Sequence, residues 1–195
     1  MQEKTELKLI FWFTMCYLII FTILAIINKN YEFLFYTLII SALIFVIVLY
    51  HKKIHLTKNI ILGLTIFGAL HIFGGNIYIL GTRLYELWLI SPNILRYDNM
   101  VHTLGSFVAT YVVYSFVHPH LDKKIKHNVI LLSLILILIT MGIGTFNEII
   151  ELTAVVFLGA TKQVGDYLNN ALDLLFNLFG SIIACFFIIR YHKKN

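Results

Sequence analysis

Charge is what this sequence has least of. Only 13% of its 195 residues are Asp, Glu, Lys or Arg, against 59% hydrophobic, and the mean hydropathy is +0.86. A soluble domain carries about a quarter charged residues. A chain this poor in charge cannot cover a water-facing surface, so a soluble globular protein is excluded and the lipid bilayer becomes its solvent. Cysteine is scarce as well: Cys16 and Cys185 both sit inside apolar runs, where cysteine serves as a small apolar filler, and no disulfide framework follows. Long polar connections are missing, which leaves no room for a separate soluble domain. No P-loop, no H-E-x-x-H string and no Ser-His-Asp order is present, so the familiar soluble catalytic templates do not apply. The net charge of +5 is accounted for by membrane topology, and it gives no reason to expect nucleic acid as a partner.

What is present is a series of apolar runs. A helix needs about 20 apolar residues to cross the hydrocarbon core, and six stretches qualify, at approximately 7–27, 33–50, 60–80, 98–117, 129–151 and 167–189. The first is longer than a signal-peptide core and lacks a small-residue cleavage site, so it reads as a retained anchor; no lipidation motif accompanies it. The expected fold class is all-α, a polytopic six-helix transmembrane bundle forming a single domain over 1–195. The longest connection, around Gly81–Tyr97, contains Trp88 and the Ser91-Pro92 pair and reads as a short interfacial helix ending in a turn. Lys and Arg separate cleanly between alternate connections, eleven on the side of both termini and four on the other. The positive-inside rule then predicts a cell-membrane protein with both termini cytoplasmic.

The ten acidic residues divide in two. Glu3, Glu6, Glu32, Glu86 and Asp122 read as tail or loop residues, whereas Asp98, Glu148, Glu151, Asp166 and Asp173 fall at or inside the ends of the last three apolar runs. The topology puts all five at the outer face, together with His71 and His102. Spacing groups them further. Asp98 and His102 are i,i+4, and Glu148 and Glu151 are i,i+3. Asp166, Asn170, Asp173 and Asn177 form a stripe down the last helix, and His71, Gly74, Gly75 and Tyr78 form another. Such faces turn away from lipid and toward one another, which predicts an outward-open polar pocket.

Five acids in a medium of low dielectric cannot all be ionised unaided. Bound protons, basic partners such as Arg96, Arg83 or Lys162, or a metal cation would each resolve the conflict. Carboxylates with imidazoles suit a divalent ion such as Zn, Mn or Mg. Plainer readings stand beside this one. A DxxxH pair is common by chance, Glu148 and Glu151 could form structural ion pairs, Asn170 and Asn177 could be interhelical glue, and the glycines could serve only close packing. The number and location of the ionisable residues favour a functional pocket, because such residues are costly inside a membrane. His51, His55, His118, His120, His127 and His192 lie among lysines in the connections and tail and carry less weight.

The order LHIFGGNIY, RYDNMVHTLGSF, NEIIE and GDYLNNALDLLFNLFG resembles the YjdF-type inner-membrane proteins. The second and last motifs are also similar to the VanZ-like family, with its DxxxH, a later Glu and a final DxxxNxxG; here these would be Asp98 with His102, Glu148 or Glu151, and Asp173 with Asn177 and Gly180. The resemblance covers roughly Leu70 to Ala184. It departs from the YjdF-type pattern near Gly165-Asp166, where Asn170 falls at the place of a second acid. VanZ-like membership would imply a link to the cell envelope and no particular reaction.

Three functional readings follow. In the leading one His71, Asp98, His102, Glu148 and Asp173 bind a divalent metal, and Glu151 or Asp166 serves as base. Arg96, Tyr78, Asn170 and Asn177 would hold a lipid or cell-envelope substrate that bears phosphate. In the second the same carboxylates are protonatable sites of a proton- or ion-coupled transporter. In the third they form an ion-pair lattice in a non-catalytic scaffold or binding protein.

Overall fold

The computed structural model describes residues 2–54, 56–90, 94–160 and 167–192. Six of its helices are long and apolar enough to cross a membrane: α1 (Gln2–Ile27), α2 (Tyr31–Ile54), α3 (Lys58–Asn76), α4 (Tyr97–Val117), α6 (Val129–Leu158) and α7 (Tyr167–His192), with a short α5 (Lys123–His127) between α4 and α6. The chain divides into two compact units, Met1–Asp98 and Asn99–Asn195.

In the first unit α1, α2 and α3 pack on one another. Lys29 takes a left-handed φ of 53° between α1 and α2, and the Asn30 side chain then caps α2 by accepting from the Phe33 amide at 3.3 Å. Thr57 caps α3 through the Ile60 amide. Tyr17, Leu18, Ala69 and Ile72 form the buried apolar core. Close approach depends on two glycines of α3. A Cβ on Gly75 would lie 1.6 Å from the Phe33 ring, and one on Gly74 would lie 2.6 Å from the Tyr85 ring.

Over its described residues the long connection is a small β-structure in place of the expected interfacial helix, and the expected turn at Ser91-Pro92 lies outside the described residues. β1 (Tyr78–Ile79) pairs antiparallel with β2 (Thr82–Arg83) across Leu80 and Gly81, whose φ values are 51° and 83°. Two successive positive φ values make the turn whose twist matches a two-residue hairpin. This is why α3 stops at Asn76, before the predicted end at 80. Tyr78 therefore stands on β1, exposed, and the stripe that starts at His71 runs on α3 only as far as Gly75. A single 3-10 turn follows at Leu84–Glu86, and Trp88 bridges to Arg96 with the guanidinium 4.6 Å from the indole centroid.

In the second unit Asn128 caps α6 through the Leu131 amide at 3.1 Å. Gly159, at φ 69°, closes the same helix in the left-handed conformation, which carries α6 well beyond the predicted end at 151. Glycines again set the spacing. A Cβ on Gly180 of α7 would fall 2.1 Å from the Thr103 carbonyl oxygen of α4, and one on Gly144 of α6 would fall 2.7 Å from Nδ2 of Asn177 on α7. Small residues let membrane helices approach this closely, and the approach brings their polar faces together.

Candidate functional site

The second unit gathers its ionisable residues onto three helices. His102 rises from the second turn of α4, Glu148 and Glu151 lie on α6, and Asp173 lies two turns into α7. One ligand atom each from His102, Glu148 and Glu151 fall within 4.8 Å of one another. Nε2 of His102 is 3.8 Å from Oδ1 of Asp173, with the two side chains 10% and 1% exposed. Both Glu148 carboxylate oxygens are buried.

Asparagines hold the acids in place. Asn169 donates to Oδ2 of Asp173 at 2.9 Å from one turn earlier on the same helix. Asn147 donates to Oε1 of Glu151 at 2.8 Å with the same i,i+4 geometry. Asn99, fully buried, reaches Oδ1 of Asp173 from α4 at 3.4 Å. The sequence reading passed over these three. Their signal was legible in part, since an Asn four residues before an acid on a helix is placed to donate to it; the reach of Asn99 across helices was not.

Below the acids the polar face continues. Asn177 is 4% exposed and packs against Gly144, one turn along α6 from Glu148; its Nδ2 is buried and has no hydrogen-bond partner among the described residues. Oδ1 of Asn170 is in the same condition. One turn below Ser106 and Gly144, the hydroxyls of Thr110 and Thr140 meet at 3.2 Å. There the column ends. Val113, Leu132, Leu136, Cys185 and Ile188 pack into an apolar cluster beneath it. A buried polar atom left unmet costs about 1–3 kcal/mol, which ordered water or a ligand at such an atom offsets.

Asp98 occupies the first turn of α4, one turn before His102, where a carboxylate also favours the positive end of the helix. His71 lies in the first unit among the rings of Phe33, Tyr36, Phe67 and Tyr85, all within 6.2 Å, and its Nδ1 meets the Tyr85 hydroxyl at 2.5 Å. Arg96 stacks on Trp88. Asp166 and Lys162 fall outside the described residues.

One residue read as an unremarkable loop acid is otherwise. Glu32 belongs to the first turn of α2 and is buried, with Arg83 at 3.7 Å; Arg83, itself buried, also pairs with Glu86 at 3.2 Å. The hairpin carries Arg83 to Glu32, a contact between residues 51 apart that no local spacing announces.

No curated protein and no solved structure matches the chain. A family model described as "Predicted membrane protein (DUF2238)" matches residues 9–194. Six spanning helices, a run of ordered motifs from LHIFGGNIY to the final helix, and a match over nearly the whole chain agree: this protein belongs to the DUF2238 membrane-protein family, which is that of the YjdF-type proteins.

Proposed function

We propose that the second unit binds a divalent cation through His102, Glu148 and Glu151 and uses it on a phosphate-bearing lipid or cell-envelope head group. The observation that carries this reading is the clustering of one imidazole and two carboxylates within 4.8 Å on two membrane helices. A mixed nitrogen and oxygen set of this kind suits Zn, Mn or Mg. Asp173 stands beside His102 and, with Asn99 and Asn169 fixing its oxygens, orients the imidazole, as carboxylates behind metal-bound histidines do. A cation there would polarise a phosphoryl oxygen and sharpen a bound water as nucleophile. Nδ2 of Asn177 would donate to an oxygen of the head group, and Oδ1 of Asn170 would accept from that water or from a head-group hydroxyl. Both termini would lie in the cytoplasm, and the cluster would open at the outer face.

A dead-end site fits better than a pathway within this unit. The polar column reaches Thr110 and Thr140, and a cluster built mainly of aliphatic side chains follows it.

The test is elemental analysis of the detergent-purified protein alongside His102→Ala and Glu148→Gln. About one divalent ion per chain is expected, lost in both variants while circular dichroism shows them helical. Protein prepared without chelator, resupplied with Zn, Mn and Mg, and still free of metal would sink the reading. Release of phosphate from lipid phosphomonoesters, tested with the same variants, then addresses the substrate.

A further inference from the structure

We infer that the first unit carries a binding site for one anionic phospholipid, separate from the acid cluster and independent of the metal reading. A cavity of about 210 Å³ lies between its three helices. Leu7 and Ile10 of α1, Ile44 and Ile47 of α2, and Ile61 and Leu64 of α3 line it. These are the first turns of α1 and α3 and the second half of α2, so the cavity sits at one end of the unit. Thr14 and Thr65, hydrogen-bonded to each other at 3.1 Å, close its inner end, and Tyr17 packs on Gly68 one turn beyond.

The occupant is argued from charge. Lys4 and Lys8 stand on α1 within one turn of the cavity-lining Leu7, and Lys58 opens α3. Lys52 and Lys53 are in the last turn of α2. Only two acids, Glu3 and Glu6, belong to this end, and Glu6 is engaged by Lys58. The helix ends around this apolar slot carry five lysines in sequence against two acids, a balance that matches a molecule with an acyl chain and a negative head group. Basic pockets between membrane helices recognise anionic lipids on this principle. The chain would enter the cavity sideways from the leaflet, while Lys4 and Lys8 hold the phosphate.

Native mass spectrometry of the purified full chain, with phosphatidylglycerol or phosphatidylcholine of equal chain length added, tests this. Phosphatidylglycerol should be retained in preference. Lys4→Gln and Lys8→Gln, at exposed positions where folding is not at stake, should each weaken its binding about fivefold, the equivalent of the roughly 1 kcal/mol that a basic residue contributes near an anionic surface. Leu64→Trp should fill the cavity and abolish retention of both lipids; Ile61→Phe replaces it if circular dichroism shows the Trp variant misfolded. Equal retention of the two lipids, or phosphatidylglycerol binding that survives the filled cavity, overturns the inference. So does a free fatty acid bound more tightly than either phospholipid. The metal content of all these variants should match the parent, so failure here leaves the acid cluster untouched.

Discussion

The two units handle buried charge in opposite ways. In the first, Arg83 is placed between Glu32 and Glu86, and His71 is wrapped in aromatic rings with a tyrosine hydroxyl on its nitrogen. The Arg83 charge is met by charge of the other sign. In the second, the acids are met by neutral amides: Asn99 and Asn169 on Asp173, and Asn147 on Glu151. An amide fixes a carboxylate without cancelling it. The first arrangement holds a fold together, whereas the second sets the orientation of its carboxylates beside the imidazole of His102. The acid count of the sequence does not distinguish them, and the identity of the partners does.

Removing one partner should break the first arrangement hardest. Arg83→Ala leaves the Glu32 carboxylate buried without that counter-charge, and breaking a buried pair this way costs about 3–5 kcal/mol. Unfolding by SDS titration in mixed micelles should show this loss. The double variant Arg83→Met with Glu32→Gln should recover most of it, because the stranded charge is then gone. If the double variant is as unstable as the single, the packing of the arginine stem, rather than its charge, is what the hairpin needs.

In the second arrangement the equivalent change should spare the fold and strike the ligand. Asn169→Ala removes a 2.9 Å hydrogen bond to Asp173 and leaves Asn99 as the remaining amide on the carboxylate that we propose orients His102. Loss of such a supporting contact typically lowers metal affinity by about 10–100-fold. Titration with Zn or Mn, read by calorimetry, should show a drop in that range while the SDS midpoint moves little. An equal loss of stability and affinity would mean that Asp173 is structural and that the contrast between the units is one of degree.

How far the sequence foretold this contrast depends on the range of each contact. The six helices, all-α class and family were legible, because hydropathy over 20 residues and the order of short motifs are local quantities. The association of Glu148 and Glu151 with His102 was legible as a convergence of polar faces. The hairpin was not, since Leu80 takes a positive φ that its side chain gives no reason to expect. Nor was the pairing of Glu32, which depends on where that hairpin delivers Arg83. His71 shared a spacing pattern with the acids, but spacing along one helix says nothing of which neighbour the helix faces. Here that neighbour is a wall of aromatic rings.

The finest test uses two glycines two residues apart on α6. Gly142 and Gly144 differ in direction. Gly142 has nothing within 4 Å of an added Cβ, whereas one on Gly144 would press on Nδ2, Cγ and Cβ of Asn177 at 2.7, 3.1 and 3.4 Å. Gly142→Ala should therefore be neutral or stabilise by up to about 1 kcal/mol through helix propensity. Gly144→Ala must push Asn177 aside, and overpacking of this kind costs about 1–3 kcal/mol. The side chain displaced is the one whose buried Nδ2 has no hydrogen-bond partner among the described residues, directly beneath the acids. Gly144→Ala should then weaken cation binding as well as stability, and Gly142→Ala should change neither affinity nor stoichiometry. If both alanines leave affinity unchanged, the amide of Asn177 is not part of the binding site, and the polar column below Asp173 is packing glue between α6 and α7.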